Sequence, residues 1–349
     1  MRPIICCHTN GIGLGGTEGM IQLLLKYMRE IDSTYNFVLM YKAQEDRTRE
    51  PFFEEILTRN RLIPYASVPE AIEIMKGIQP AVLHHFAAGV AEWPMIPFVK
   101  QTFPNMKFIQ TAVFGNQNDQ VQIDAVIYVS KWMQIMVGKQ NEKNHFVIRN
   151  PIESPKTDED LREELNIDKD TFVFGHVGRP DPNTYSNLNL QAYSKIENDT
   201  TCFILLGVDE LAKDTLESLH IKNYRLLSKT VDPIRISKFY NTTNLLAHSR
   251  RDGEVNSAII FEAMAHKIPV LSSYGTPFNG HIEQIQNAGF VTSPGDVDEY
   301  ASLMRYFIEI KNTKKMNYFK ENAYKLWKKM GDPYNKAKEQ LDVYNQILS

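Results

Sequence analysis

Short runs rich in Val, Ile and Phe alternate with stretches of helical periodicity along most of the chain, and this alternation most restricts the folds open to it. Buried runs of that length, each followed by an amphipathic segment, form parallel sheets with crossover helices. In the first half the expected strands are Ile4 to His8, Asn36 to Tyr41, Ala81 to His85, Lys107 to Thr111, Ala125 to Val129 and His145 to Ile148. Helical stretches between them include Thr17 to Ile31, Pro69 to Gly77 and Lys131 to Gly138.

Asn150-Pro151 closes that half, and the polar segment ESPKTDED follows as a linker and helix start. A second series then begins, with strands near Phe172 to Val177, Cys202 to Leu206, Tyr224 to Leu227, Asn244 to His248, Pro269 to Ser272 and Phe290 to Thr292. Leu188 to Glu197, Asp209 to Leu219, Pro233 to Asn241 and Ser257 to His266 read as its helices. At 349 residues the chain fits two domains better than one core. The reading is therefore α/β: two doubly wound domains, 1–153 and 154–312, with a ligand cleft between them, and terminal helices over 313–349 packing back toward the first domain.

In that terminal stretch Met316, Phe319, Ala323, Trp327 and Met330 recur at three- and four-residue steps, with lysines on the other faces. A helix pair packed on the domains is expected; the alternative is a basic amphipathic helix touching anionic lipid, a peripheral membrane contact. A net charge of −3 gives no general attraction to nucleic acid. No run of eighteen apolar residues exists and MRPIICCHTN leads straight into a strand, so neither a membrane span nor a cleaved signal is expected, and the expected location is cytoplasmic. Cys6, Cys7 and Cys202 lack both disulfide-framework and zinc spacing and read as buried reduced thiols.

Glu254 and Glu262, separated by seven residues in DGEVNSAIIFEAMAHKIPVLSS, are the most informative pair for function. With Glu254 on a loop and a helix opening near Asn256 or Ser257, the free N–H groups of the helix and its positive dipole end face the same side as Glu254. That arrangement suits a ligand carrying both an anion and hydroxyls.

Together with Ala-Met-Ala after Glu262, GLGGTEG at 13–19 and FGHVGRP at 174–180, this segment resembles the signature of the family 4 glycosyltransferases. The resemblance implies two Rossmann-like domains in the GT-B arrangement and transfer of a sugar from a nucleoside diphosphate sugar with retention of anomeric configuration. It also implies carbohydrate biosynthesis as the setting; no cofactor or metal is expected. Glu262 would hold the ribose, Glu254 the transferred sugar, and the N–H groups of Val255, Asn256 and Ser257 the phosphates. Arg179, following Gly178 at the end of its strand, would stabilise charge on the leaving diphosphate. Family members usually place a Lys five residues after that Arg; here the position holds Thr184, which can hydrogen-bond but carries no charge. Glu283 resembles a position that caps the donor pocket.

Gly15, Gly16 and Glu18 would form the acceptor or phosphate loop of the first domain. His84 and His85 end a strand facing the expected cleft, as donor or acceptor contacts or as a packed pair. Two other classes are open. One is a nucleotide-sugar-binding protein with lost or weak transfer activity, favoured by Thr184. The other is a nicotinamide oxidoreductase, since Gly11 to Gly16 fits GxGxxG, although Glu45 and Asp46 come late for a ribose-binding acid. Asp158 to Asp160 and Asp296 to Asp298 resemble metal-binding Asp-x-Asp but stand where acids favour a helix start. The sequence leaves base, sugar, acceptor and oligomeric state open.

Overall fold

A computed structural model describes residues 2–13, 15–32, 34–43, 46–87, 96–117, 122–179 and 181–349. Leu14, Glu45 and Pro180, which belong to the segments read above, lie outside the described residues. The chain divides into two compact units, Met1–Pro151 with Asp332–Ser349, and Ile152–Gly331.

The first unit runs β1 (Ile4–Thr9), α1 (Gly16–Ile31), β2 (Asn36–Lys42), α2 (Glu50–Leu57), β3 (Leu62–Tyr65), α3 (Val68–Ile78), β4 (Val82–Ala87), α4 (Ile96–Thr102), β5 (Lys107–Ala112), β6 (Ala125–Tyr128), α5 (Lys131–Met136) and β7 (His145–Val147). The second runs β8 (Phe172–Val177), α6 (Leu188–Ser194), β9 (Thr201–Leu206), α7 (Asp209–Ser218), β10 (Tyr224–Leu227), α8 (Pro233–Thr242), β11 (Leu245–Ala247), β12 (Gly253–Glu254), α9 (Ala258–Ala265), β13 (Val270–Ser273), β14 (Phe278–Asn279), α10 (Ile282–Ile285), β15 (Gly289–Thr292), α11 (Val297–Glu309) and α12 (Lys314–Met330). A last helix, α13 (Pro333–Leu348), returns to the first unit.

All strand pairs of the two large sheets are parallel. The orders are β3-β2-β1-β4-β5-β6-β7 and β10-β9-β8-β11-β13-β15. Each winds outward in both directions from its first strand, so chain direction reverses beside β1 in one sheet and beside β8 in the other. At such a switch point the loops leaving two neighbouring strands diverge, and the gap is where doubly wound sheets take ligands.

Both faces of the second sheet are covered, which is why its strands read as continuous apolar runs. Phe172 and Phe174 pack on one face with Phe203, Leu245, Tyr193 of α6 and Met304 of α11. Val173 points the other way, into a core with Ile204, Tyr240, Met264 and Trp327. Each fully buried side chain of this size contributes about 1.5–3 kcal/mol, so the two layers hold the strand ends rigidly. In the first sheet one face packs Met40, Leu83 and Phe108 against Met75 and Val99.

The terminal helices divide differently from the expected boundary at 313. The apolar stripe of α12 (Met316, Phe319, Ala323, Trp327) is buried in the second unit, where Trp327 Nε1 donates to the Ile152 carbonyl at 2.9 Å. The chain changes units at Gly331-Asp332, where Asp332 caps α13 by accepting from the Asn335 N–H at 3.2 Å and Pro333 sits in the first turn. Tyr344 of α13 packs edge-on against Tyr35, and its hydroxyl lies 2.7 Å from His84 Nδ1. The apolar face of α12 is therefore used internally and not offered to a lipid surface. No described helix is long and apolar enough to cross a membrane. Cys6, Cys7 and Cys202 are free and buried, and burial pushes the Cys7 thiol up to about 12 and that of Cys202 to about 11.

Candidate functional site at the second switch point

β8 and β11 are hydrogen-bonded neighbours, so the segments that leave them, 178–187 and 248–257, rise side by side. Most donor-site residues singled out from the sequence belong to these two segments or to α9. They are tied together by an antiparallel bridge between Tyr185 and Arg250, with the Arg251 N–H donating to the Thr184 carbonyl at 3.0 Å.

Gly178 donates its N–H to the Leu206 carbonyl at 3.1 Å, which delivers Arg179 to the surface immediately beyond the sheet. The Arg179 side chain is exposed and has no hydrogen bond or ion pair among the described residues. Thr184 hydrogen-bonds back to the Asp181 carbonyl through its hydroxyl at 3.3 Å and its N–H at 3.2 Å. Tyr185 packs against the core of the unit. Residues next to a bridged pair face the opposite side, so Thr184 and Arg251 face away from that core. Arg251 is exposed and likewise has no side-chain partner among the described residues.

Glu254 occurs in β12, a two-residue strand paired with β14, and not on an open loop. Gly253 makes this pairing sterically feasible: its φ of 72° lies in the left-handed region, and a β-carbon there would lie 1.8 Å from the Phe278 carbonyl oxygen. The carboxylate of Glu254 is braced through one oxygen. Oε1 lies 3.3 Å from His248 Nε2, 3.6 Å from Arg250 Nη1 and 3.3 Å from Ser257 Oγ, whereas Oε2 has no partner among the described residues. Burial is the largest influence on this carboxyl and favours its neutral form; the His248 contact and the charge of Arg250 outweigh it and hold the group below its ordinary range. Arg250 forms a two-pronged pair with Asp252 at 2.9 and 2.7 Å. Its burial opposes the charge, but Glu254 and Asp252 more than compensate, and its pKa is raised. Arg250 is thus neutralised inside the protein, in contrast to Arg179 and Arg251.

α9 opens at Ala258 with Ser257 as its N-cap residue. The expectation that the Ser257 N–H serves a ligand is corrected here. The buried amide of Gln284 occupies it, accepting from the Ser257 N–H at 2.7 Å and donating to the Ser257 carbonyl at 3.0 Å. The N–H groups of Ala258, Ile259 and Ile260 have no acceptor among the described residues, as the geometry of a first helical turn requires. They are the donors available to an anion. Val255 and Asn256 are buried beneath the turn. Glu262 lies half-buried one turn along α9, with Oε2 accepting from the Tyr240 hydroxyl at 2.8 Å. Glu283, half-buried in the first turn of α10, follows His281, whose N–H donates to the Glu254 carbonyl at 3.2 Å.

The candidates of the first unit form a separate group. Gly15 is the N-cap of α1, Gly16 its first residue and Glu18 lies in its first turn. The Glu18 carboxylate folds over Gly15, where a β-carbon would stand 1.9 Å from it, and the Asp46 carboxylate covers Gly13 in the same way at 2.2 Å. Two acids therefore lie against the glycines that a dinucleotide pyrophosphate would need to approach. His84 and His85 do not face outward together. β4 continues to Ala87 and both rings are buried on opposite faces of the sheet, because neighbouring residues of a strand alternate. His84 lies between Thr111 Oγ1 at 2.8 Å and the Tyr344 hydroxyl, while His85 Nδ1 meets His8 Nδ1 at 2.9 Å. Desolvation lowers His84 to about 3 and His85 to about 4. These rings are neutral parts of the core.

Arg250, Arg251, Tyr240, His248 and Gln284 escaped the sequence reading. The Arg250–Asp252 spacing was a weak local signal; the others act across elements distant in sequence and left none.

Residues 157–326, all within the second unit, match the family model described as glycosyl transferases group 1. Comparison with curated proteins gave no match. Among solved structures, a glycosyltransferase from Rickettsia africae superposes with a TM-score of 0.80 at 16% identity, covering 100% of this chain and 99% of that one. The Anabaena protein Alr3699/HepE, in complex with UDP and glucose, gives 0.75 at 16% identity over 99% of this chain and 100% of its own. The lipopolysaccharide outer core galactosyltransferase WaaB gives 0.72 at 14% identity over 99% of both chains. At such identities these likenesses speak for the fold, the GT-B pairing of two Rossmann-like domains, and the family match is confined to the second unit. The second unit thus carries the match to the group 1 glycosyl transferases, on a chain with the GT-B fold.

Proposed function

We propose that the chain transfers a sugar from a nucleoside diphosphate sugar to an acceptor with retention of configuration and without a metal ion, and that the second switch point holds the donor. The observation that carries this reading is that the domain matching the family holds, on segments leaving two neighbouring strands and the helix that follows, a guanidinium and helix N–H groups unpaired among the described residues, together with two carboxylates. Breaking the bond between the anomeric carbon and the phosphate oxygen leaves growing negative charge on the diphosphate. Arg179 and the first-turn N–H groups of α9 would stabilise it, and Arg251, opposite Thr184, would supply a second cation where Thr184 has none.

Glu254, with Oε1 braced and Oε2 open, would accept hydrogen bonds from the transferred sugar, and Glu262 from the ribose. Both carboxylates lie in one short segment, so Glu254 is read as positioning the sugar and not as a nucleophile on the opposite face. The acid-covered loop at Gly15 to Glu18 suits acceptor hydroxyls better than phosphate, since its carboxylates accept hydrogen bonds and repel anions. The Anabaena Alr3699/HepE complexes with UDP and with UDP-glucose support a nucleotide-sugar donor here.

A thermal-shift screen with UDP-, GDP- and ADP-sugars tests the reading. A ligand at a hundred times its Kd adds about 2.7 kcal/mol to the native state, enough to raise Tm by several degrees. One nucleotide class should do so, and Glu262→Ala should abolish the rise. A rise that persists unchanged in that variant refutes the ribose assignment.

A further inference from the structure

Tyr240 belongs to no motif of the sequence, yet its hydroxyl reaches the carboxylate on which nucleotide binding is proposed to depend. It lies 2.8 Å from Glu262 Oε2 and 3.3 Å from the Ile259 carbonyl oxygen. A phenol has one proton to give, and the shorter, charge-assisted contact takes it, so Tyr240 donates to Glu262. The ring is fully buried, with Phe239 edge-on at 5.3 Å and His266 at 5.1 Å, and the hydroxyl cannot swing away. His266 secures the same turn from its other end, its Nδ1 donating to the Glu262 carbonyl at 2.7 Å. Burial and the neighbouring carboxylate both push the Tyr240 hydroxyl well above its ordinary range, so it remains a donor at every working pH.

We propose that Tyr240 is a positioning residue: it holds Oε2 of Glu262 from the core side of α9 and so aims the other carboxylate oxygen at the ribose hydroxyls of the donor nucleotide. The inference rests on the reading of Glu262 as the ribose ligand. An unheld Glu side chain samples several rotamers and must surrender that freedom when the nucleotide arrives; a carboxylate fixed beforehand does not.

The test compares ribonucleotide with dideoxyribonucleotide. Whichever of UDP, GDP and ADP binds best is titrated calorimetrically, beside its 2′,3′-dideoxy counterpart, into the wild type, Tyr240→Phe, Glu262→Gln and the double variant. Phe keeps the ring and its packing, and circular dichroism confirms the fold. The wild type should prefer the ribonucleotide by about tenfold or more, the worth of one hydrogen bond to a charged group. Tyr240→Phe should reduce that preference to within about threefold while leaving dideoxynucleotide affinity unchanged, and the double variant should match Glu262→Gln. Full preference retained in Tyr240→Phe overturns the role of Tyr240 while leaving Glu262 as ribose ligand. Equal weakening of both nucleotides by Tyr240→Phe would reveal a merely structural tyrosine and also overturns the inference. A wild type without ribose preference removes the reading of Glu262 itself.

Discussion

The two sheets wind in the same order outward from their first strand, yet their switch points carry opposite chemistry. Beside β1 the strand ends hold the buried His8–His85 pair, and acids lie on the glycines of the following loop. Beside β8 they hold an exposed Arg179, a Glu254 kept ionised by its neighbours and a helix end with open N–H groups. Topology therefore repeats the switch point, and the proposed function assigns the diphosphate to the second, where the described side chains offer an exposed cation.

The largest effect expected from this contrast is catalytic. Arg179→Ala should slow transfer by about 10²–10³-fold, the usual cost of losing one preorganised donor to a developing anion. In steady-state kinetics Glu18→Gln should instead change acceptor KM and leave the response to donor concentration intact. Equal damage to donor use by both variants would erase the distinction between the two loops.

The next effect concerns stability. Gly253→Ala forces a β-carbon into a left-handed residue and against the Phe278 carbonyl, and should cost more than about 2 kcal/mol in urea unfolding. Gly16→Ala, where the added carbon meets nothing within 4 Å and the residue is helical, should be neutral or stabilising by up to about 1 kcal/mol. A tolerated Gly253→Ala would mean that the β12–β14 clamp on Glu254 is not rigid.

A smaller effect per group follows from the histidines. Desolvation lowers His84 and His176 to about 3 and His85 to about 4. A base with a depressed pKa in the folded state takes up protons on unfolding. Its contribution is complete above the unfolded value, about 6.5, and is lost as pH falls toward the folded value, at about 1.4 kcal/mol per pH unit for each such group. Thermal melts should therefore show Tm falling as pH drops below about 6.5. A flat profile from pH 7 to 4.5 would contradict the neutral, buried assignment.

Much of this architecture was legible in the chain. Runs such as FVFGHV and CFILL gave strands with nearly the observed ends, because burial on both faces leaves an unmistakable apolar signature. Leu62–Tyr65 escaped because it is four residues long and contains Pro64, which only an edge strand tolerates, and β3 is indeed an edge. α2 is short and opens with Pro51 after a charged segment, so its periodicity was too brief to register.

Arg179 and the Glu pair could be singled out from the sequence because they stand near strand or helix ends within sequence-local motifs. The occupation of the Ser257 N–H by Gln284, the bracing of Glu254 by His248 and the Tyr240–Glu262 bond depend on residues brought together by packing. No local pattern encodes them. His84 and His85 misled for the opposite reason: a polar pair at an expected strand end looks exposed, whereas β4 runs past them and buries both.

The central claim is that the donor diphosphate rests on the first turn of α9 beside Arg179. A crystal structure with the nucleoside diphosphate that raises Tm most tests it directly. The account predicts phosphate oxygens within hydrogen-bond reach of the Ala258 and Ile259 N–H groups and of the Arg179 guanidinium; phosphates seated instead on Gly15 and Gly16 at the head of α1 would contradict it.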